Sequence, residues 1–163
     1  MRSLPLLLGL GLMLGCSSPA FSQAKKDEVA SLIKDLKNKD PKTRSAAADE
    51  IAHRGAIRAS EVKDAIPPLL EIVKKDKDAA VRRAAAHALG RIDPEPKQAV
   101  PVLSDALKDK NAAVRIAAAT ALGQFGENAA EAIPALTECQ KDKDKAVSRA
   151  ANMALRSIRD KQK

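Results

Sequence analysis

The chain has 163 residues, a formal net charge of +8 and an aromatic content of 1%, with neither Trp nor Tyr. So few aromatic side chains argue against a globular core of ordinary composition, and against the stacking platforms that hold single-stranded nucleic acid. Two cysteines and two histidines provide no disulfide framework, and two lone histidines far apart in the chain argue against a metal site.

The N-terminal segment stands apart. Arg2 precedes an apolar run from Leu4 to Leu14 that is too short to span a bilayer as a mature helix and has the pattern of a secretory signal. Two processing routes are open. Small residues in Ala20-Phe21-Ser22 and Ser22-Gln23-Ala24 suit ordinary cleavage, giving a signal peptide over 1–24. Met13-Leu14-Gly15-Cys16 instead resembles a bacterial lipobox, with a signal over 1–15 and lipidation at Cys16. Both routes predict export to the periplasm, cell envelope or medium; an uncleaved membrane anchor is the alternative. Residues 17–26 then read as a polar tether.

From residue 27 onward the chain repeats itself. DKDAAVRRAAAHALG, DKNAAVRIAAATALG and DKDKAVSRAANMALR begin at Asp76, Asp109 and Asp142, a constant step of 33 residues. A fainter copy, NKDPKTRSAAADEIA, begins at Asn38 and is followed by a loop five residues longer than the others. Such a period predicts a solenoid. Within each unit, sets such as Val114, Ala118, Ala121, Leu122 and Phe125 recur at helical spacing, and Ala117 joins them. Asp40, Asp78, Asn111 and Asp144 precede these stripes as N-caps. Pro68, Pro101 and Pro134 precede shorter apolar sets and suit a first helical turn. The expected fold is all-α: about four stacked helical hairpins over 25–163, at approximately 27–54, 64–92, 98–125 and 130–160, behind the signal segment.

The run of Asp, then Val-Arg, then alanines ending in Ala-Leu-Gly resembles the HEAT repeat, in the short form that also occurs in bilin lyases of phycobilisomes. The resemblance covers residues 27–160. It implies a ladder of Asp and Arg linking adjacent hairpins, here Asp76 with Arg82 and Asp109 with Arg115. Asn38 with Arg44 begins it, and Ser148 stands where an arginine is expected after Asp142. These residues are expected to be structural. Ankyrin and tetratricopeptide arrays have similar periods, but their T-P-L-H and Trp/Tyr signatures are missing.

No catalytic motif is present: there is no G-x-S-x-G, no phosphate-binding glycine loop and no C-x-x-C. Neither His53 nor His87 is followed by Glu, so the His-Glu iron pairs of one hydroxylase branch of HEAT-like proteins are missing as well. No enzyme activity, cofactor or metal is therefore expected. Cys139 aligns with Val73 and Ala106 as a small core residue.

A protein partner is the leading expectation, since a solenoid offers an extended surface lined by one helix of each hairpin. On the second helices the exposed column reads Ser45, Asp49, His53; Arg83, His87, Arg91; Ile116, Thr120, Gln124; and Arg149, Met153, Ser157. Of these, Arg83, His87, Arg91, Thr120, Gln124 and Arg149 are the candidate contact residues. The alternatives are a bilin-lyase-like or chaperone-like role, requiring a ligand-sized cavity, and electrostatic docking to anionic envelope polymers or headgroups. Lysines interleaved with acids, as in Lys74 to Asp78, predict local neutralisation that weakens the last reading and argues against nucleic acid. Membrane association is expected only through Cys16.

Overall fold

In the computed structural model, residues 19–160 are described, with side chains from Lys26 to Asp160. Residues 1–18, where most of the expected signal segment and Cys16 fall, lie outside them. The described residues form eight α-helices: α1 (Pro19–Asp35), α2 (Pro41–Arg58), α3 (Ile66–Lys75), α4 (Ala79–Ile92), α5 (Pro96–Ala106), α6 (Ala112–Phe125), α7 (Ile133–Cys139) and α8 (Lys145–Asp160). Short 3-10 segments at Ala59–Glu61, Lys63–Ala65 and Gly126–Ala132 complete the links, and no strand occurs among the described residues.

The helices pair as four hairpins, α1/α2 to α7/α8, and the second helices stack in the order α2, α4, α6, α8. The capping column explains where those second helices start. The Asp40 carboxylate accepts the N–H groups of Lys42 and Thr43, and that of Asp78 accepts those of Ala80 and Val81. Asn111 and Asp144 accept one each, from Ala113 and Ala146 at 2.9 and 2.8 Å. These bonds satisfy helical donors that have no partner of their own.

Burial follows the repeat. Leu89, Leu122 and Leu155 occupy equivalent inward places, and so do Ala85, Ala118 and Ala151. Ala117 and Ala150 are only half-buried, at the margin of the stripe. Small residues let neighbouring helices close up. A Cβ on Gly123 would lie 3.0 Å from the Ala154 Cα, and one on Gly90 would lie 2.9 Å from the Ala121 Cα. Phe125, the aromatic of the array, ends α6 inside the core, and Gly126 then takes a positive φ of 56° that suits glycine. Cys139 is buried, its Sγ 3.7 Å from the Leu107 carbonyl oxygen, and burial raises its thiol pKa.

Three local expectations need correction. Residues 19–26 are not a tether, because α1 begins at Pro19 and continues through them. Pro101 is not in a first turn: α5 starts at Pro96, which itself suits a helix start, so Pro101 falls inside the helix. Pro68 and Pro134 do lie in the first turns of α3 and α7. The longer link after the first repeat is not all loop, since α2 has 18 residues against 14 in α4 and α6. Gly55 in that extra length lets Ile92 approach; a Cβ there would meet the Ile92 Cγ1 at 2.6 Å.

Candidate interaction face and the ladder that positions it

The turn inside each hairpin uses two side chains in series. In the second repeat, Asp76 Oδ1 accepts the N–H of Asp78 at 2.9 Å, and Asp78 then caps α4. Asp109 and Asp142 do the same for Asn111 and Asp144, each at 2.8 Å. The first carboxylate of the pair is thereby turned towards the preceding hairpin, where an arginine meets it.

That arginine is not the one expected. Arg82 does not pair with the Asp76 carboxylate, nor Arg115 with that of Asp109. Arg82 instead forks onto Asp109 of the next repeat, Nε to Oδ2 at 2.7 Å and Nη2 to Oδ1 at 2.9 Å. Arg115 forks onto Asp142 at 2.8 and 2.9 Å, and Arg44 onto Asp76 at 2.7 and 2.8 Å. Within its own repeat each arginine donates Nη1 to a backbone carbonyl: Arg82 to Asp76 and Arg115 to Asp109, both at 2.8 Å. Each guanidinium thus clamps its own turn and grips the next. Arg82 and Arg115 are the buried charged residues of the described chain, at 6% and 7% exposure, and no buried side-chain N or O there lacks a partner.

Substitutions in the first and last described repeats fit this direction. The first keeps Arg44 but has Asn38, and the last keeps Asp142 but has Ser148, so each retains the partner of its described neighbour. Along the side of each second helix that meets the next repeat, Arg82, Ala86, Gly90 and Arg115, Ala119, Gly123 give way to Ser148, Asn152, Arg156. There Ser148 Oγ donates to the Gln140 carbonyl, and Gln140 Nε2 donates to Asn152 Oδ1.

The ladder sets a pH dependence. Burial alone would raise the carboxyl pKa of Asp76 and Asp109, but the arginine forks and the N–H bonds outweigh it and hold both below the ordinary value. In Asp142 the Arg115 bond dominates and lowers it too. Folded-state values below the unfolded ones mean that fewer protons are bound in the folded state, so the ladder stabilises fully above the ordinary aspartate pKa. Thermal melts should therefore be flat down to about pH 5 and fall below about pH 4. A melting temperature unchanged to about pH 3 would contradict the ladder's contribution.

Stacking the second helices brings the expected column together. His87, Arg91, Thr120, Gln124 and Arg149 are exposed and Arg83 is half-buried, with its guanidinium 3.9 Å from the Asp49 carboxylate of the previous repeat. Arg149 donates to the Lys145 carbonyl of its own helix. Between α6 and α8 the face opens into a groove of about 590 Å³ lined by Ile116, Thr120, Gln124, Arg149, Met153 and Ser157, among others. Met153 is 70% exposed, one of two exposed large hydrophobic residues described. The Ser157 hydroxyl donates to the Gly123 carbonyl at 2.7 Å and ties the groove's floor across the repeat boundary. A second open groove, about 670 Å³, lies between α1 and α3 against Ile33, Leu36, Pro67, Pro68 and Ile72. Among the described residues no group of three or more His, Cys, Asp or Glu side chains could hold a metal, and no helix is long and apolar enough to cross a membrane.

These features define the class: an α-solenoid of helical hairpins, each locked to the next by an arginine fork, that displays one helix layer as a continuous face. The chain belongs to the family described as HEAT repeats, whose profile matches residues 29–98 and 66–156. It is similar to two engineered proteins of known structure, at 26% and 28% identity and TM-scores of 0.69. Each comparison covers 80% of this chain, which spans only 62% and 63% of theirs. The fold is also that of the complex of CpcE and CpcF of phycocyanin lyase from Nostoc sp. PCC7120, with a TM-score of 0.62, 23% identity, and coverage of 82% of this chain and 79% of that one. A designed armadillo repeat protein in complex with the peptide (KR)4 shares it at a TM-score of 0.68 and 21% identity, over 81% and 64% of the two chains. No curated protein matches.

Proposed function

We propose that this chain is a non-catalytic interaction module that binds a protein partner on its second-helix face. The observation that carries the reading is the groove between α6 and α8, where an exposed Met153 and a half-buried Ile116 sit beside Thr120, Gln124 and Arg149. Arg91 and Arg149 lie on this same layer outside the Arg–Asp ladder, so the face has charge to offer a partner. Clustered apolar and arginine side chains are the usual anchors of protein interfaces. Repeat-protein neighbours that hold a peptide, or that occur as a CpcE–CpcF complex, support a protein partner for this fold.

The bilin-lyase-like alternative calls for a cavity with convergent polar groups. The two grooves are open and mainly apolar; a third pocket, of about 490 Å³ beside α1, gathers Lys26, Asp27, Ser60, Glu61 and Asp64 but lies off the second-helix face. The interaction reading is preferred because the exposed Met153 lies on that face. Site-specific photocrosslinking from Thr120 should capture a partner that crosslinking from Lys97, on the first-helix layer, does not. Combining Arg91→Glu with Met153→Asp should cut capture by at least about tenfold while leaving the melting temperature unchanged. Equal capture from both positions would sink the proposal.

Export rests on the N-terminal segment: Arg2, the apolar run Leu4 to Leu14 and the small residues that follow. The processed chain would start after one of the small-residue sites, or at a lipidated Cys16. N-terminal sequencing of the mature protein, with palmitate labelling of wild type and Cys16→Ser, separates the routes. A mature protein that retains Met1 would refute both.

A further inference from the structure

Every hairpin turn carries two lysines flanking an Asp or Asn. Lys37-Asn38-Lys39, Lys75-Asp76-Lys77, Lys108-Asp109-Lys110 and Lys141-Asp142-Lys143 stand at corresponding positions in the four repeats. All eight lysines are exposed, whereas the three central aspartates are half-buried and each is held by the arginine of the previous repeat. The interleaved charges of the sequence are therefore sorted by the fold: carboxylates point inward to a guanidinium, ammonium groups point outward to solvent. Local neutralisation, expected from the sequence, does not hold at these tripeptides. The remaining turn acids, Asp40, Asp78 and Asp144, receive helix N–H groups.

All four turns lie on one edge of the solenoid, because each joins a first helix to a second. Stacked helices stand about 8–10 Å apart, so the edge offers two ammonium groups at each such step. Among the described residues Lys75 alone of the eight makes a salt bridge, to Glu71 at 2.7 Å. Glu71, Asp105 and Glu138 are exposed acids near these turns, as is Asp40 of the first turn, whose carboxylate accepts the Thr43 N–H and hydroxyl. The opposite edge is different: its first link carries Glu61 and Asp64 against Lys63, its second Asp93 and Glu95, and its third Glu127 and Glu131. The eight turn lysines thus form a line of positive charge that the opposite edge does not match.

We propose that this lysine edge binds a linear anionic polysaccharide, one bearing carboxylate or phosphate groups along its length. The chemistry of the edge selects this class among polyanions. A bilayer surface is gripped best when apolar side chains enter it, and the exposed large hydrophobics, Ile57 and Met153, lie off these turns, in α2 and α8. Single-stranded nucleic acid needs aromatic platforms, and none is exposed here. Sequence-reading of duplex DNA relies on arginine forks, but Arg44, Arg82 and Arg115 are committed inward. Duplex DNA also carries a charge about every 1.7 Å of axis, far denser than two lysines per repeat step. A flexible chain with charges spaced along one dimension matches a flexible row of point charges. This surface is separate from the second-helix face and does not rest on the function proposed above.

The test is fluorescence anisotropy of the full-length protein with labelled alginate oligosaccharide, whose uronate units supply carboxylates, and with labelled phosphomannan oligosaccharide, whose sugars carry phosphates. At least one should bind at about 20 mM salt and weaken steeply by about 200 mM. Replacing Lys75, Lys77, Lys108 and Lys110 together with Gln should weaken that binding about tenfold or more, with the thermal melt unchanged. The matching Lys→Arg set should keep it, and so should Arg83→Glu with Arg91→Glu, which alter only the other surface. Failure of both polymers to bind would overturn the proposal, as would equal binding by the glutamine variant. Tighter binding of duplex DNA or anionic vesicles through the same lysines would assign the edge to that partner instead and equally overturn it.

Discussion

Replacing Arg82 with alanine should cost about 3–5 kcal/mol, because it leaves the half-buried Asp109 carboxylate and the Asp76 carbonyl without their donors. For a chain of this size that corresponds to a fall in melting temperature of roughly 6–20 °C. Arg91→Ala, one repeat-equivalent stripe away but exposed, should stay within about 0.5 kcal/mol of the parent. The contrast matters more than either value: two arginines on one helix, nine positions apart in sequence, differ because only one is desolvated and forked. If both variants melt with the parent, the ladder holds nothing together. A comparable loss in both would point to helix propensity or net charge.

The second large effect is expected at Ala118. It has no exposed surface, and its counterparts Ala85 and Ala151 are equally enclosed. Glutamate there must either bury a carboxylate with no partner or push α6 away from its neighbours, at a cost of about 3 kcal/mol or more. Thr120→Glu, two residues on and exposed, introduces the same side chain into the same helix and should be nearly neutral. Urea titrations of the two variants measure the difference. Similar midpoints would show that the second helices are rotated from the register described.

Much of this architecture was legible before any coordinates. A fixed 33-residue step, a capping residue at the head of each stripe and a shared run of alanines specify congruent hairpins, since each feature independently marks a helix start or a buried face. Partner choice in the ladder was not legible from spacing. Asp76 and Arg82 are six residues apart and look like a pair, yet Arg82 spans its own turn and reaches Asp109. Hairpin separation, which decides that reach, has no signature within one repeat. A signal did exist at the ends: Asn38 beside a retained Arg44, and Ser148 beside a retained Asp142, are what a ladder running from each arginine to the following aspartate leaves unpaired.

Charge was misread for a related reason. Lys-Asp-Lys is only partly neutralised on paper, and a turn sends adjacent side chains in different directions, so burial of the middle one under an arginine separates the signs. The candidate face was better placed. Residues four apart on each second helix share a surface by helix geometry alone, so Arg83, His87 and Arg91 could be named together, as could Thr120 with Gln124. The groove beside them could not, because it depends on how far α8 stands from α6. Pro101 and the start of α1 show the remaining weakness: helix beginnings are set by competing starts, and Pro96 and Pro19 both offered one.

The central physical claim is that adjacent repeats are bound by arginine-to-aspartate forks running forward along the chain. A double-mutant cycle on Arg82→Gln and Asp109→Asn, read by urea unfolding, tests it most directly. The forward pairing predicts a coupling of about 1–3 kcal/mol for Arg82 with Asp109, and a much smaller one in the matching cycle of Arg82→Gln with Asp76→Asn. A larger coupling between Arg82 and Asp76 than between Arg82 and Asp109 would contradict it.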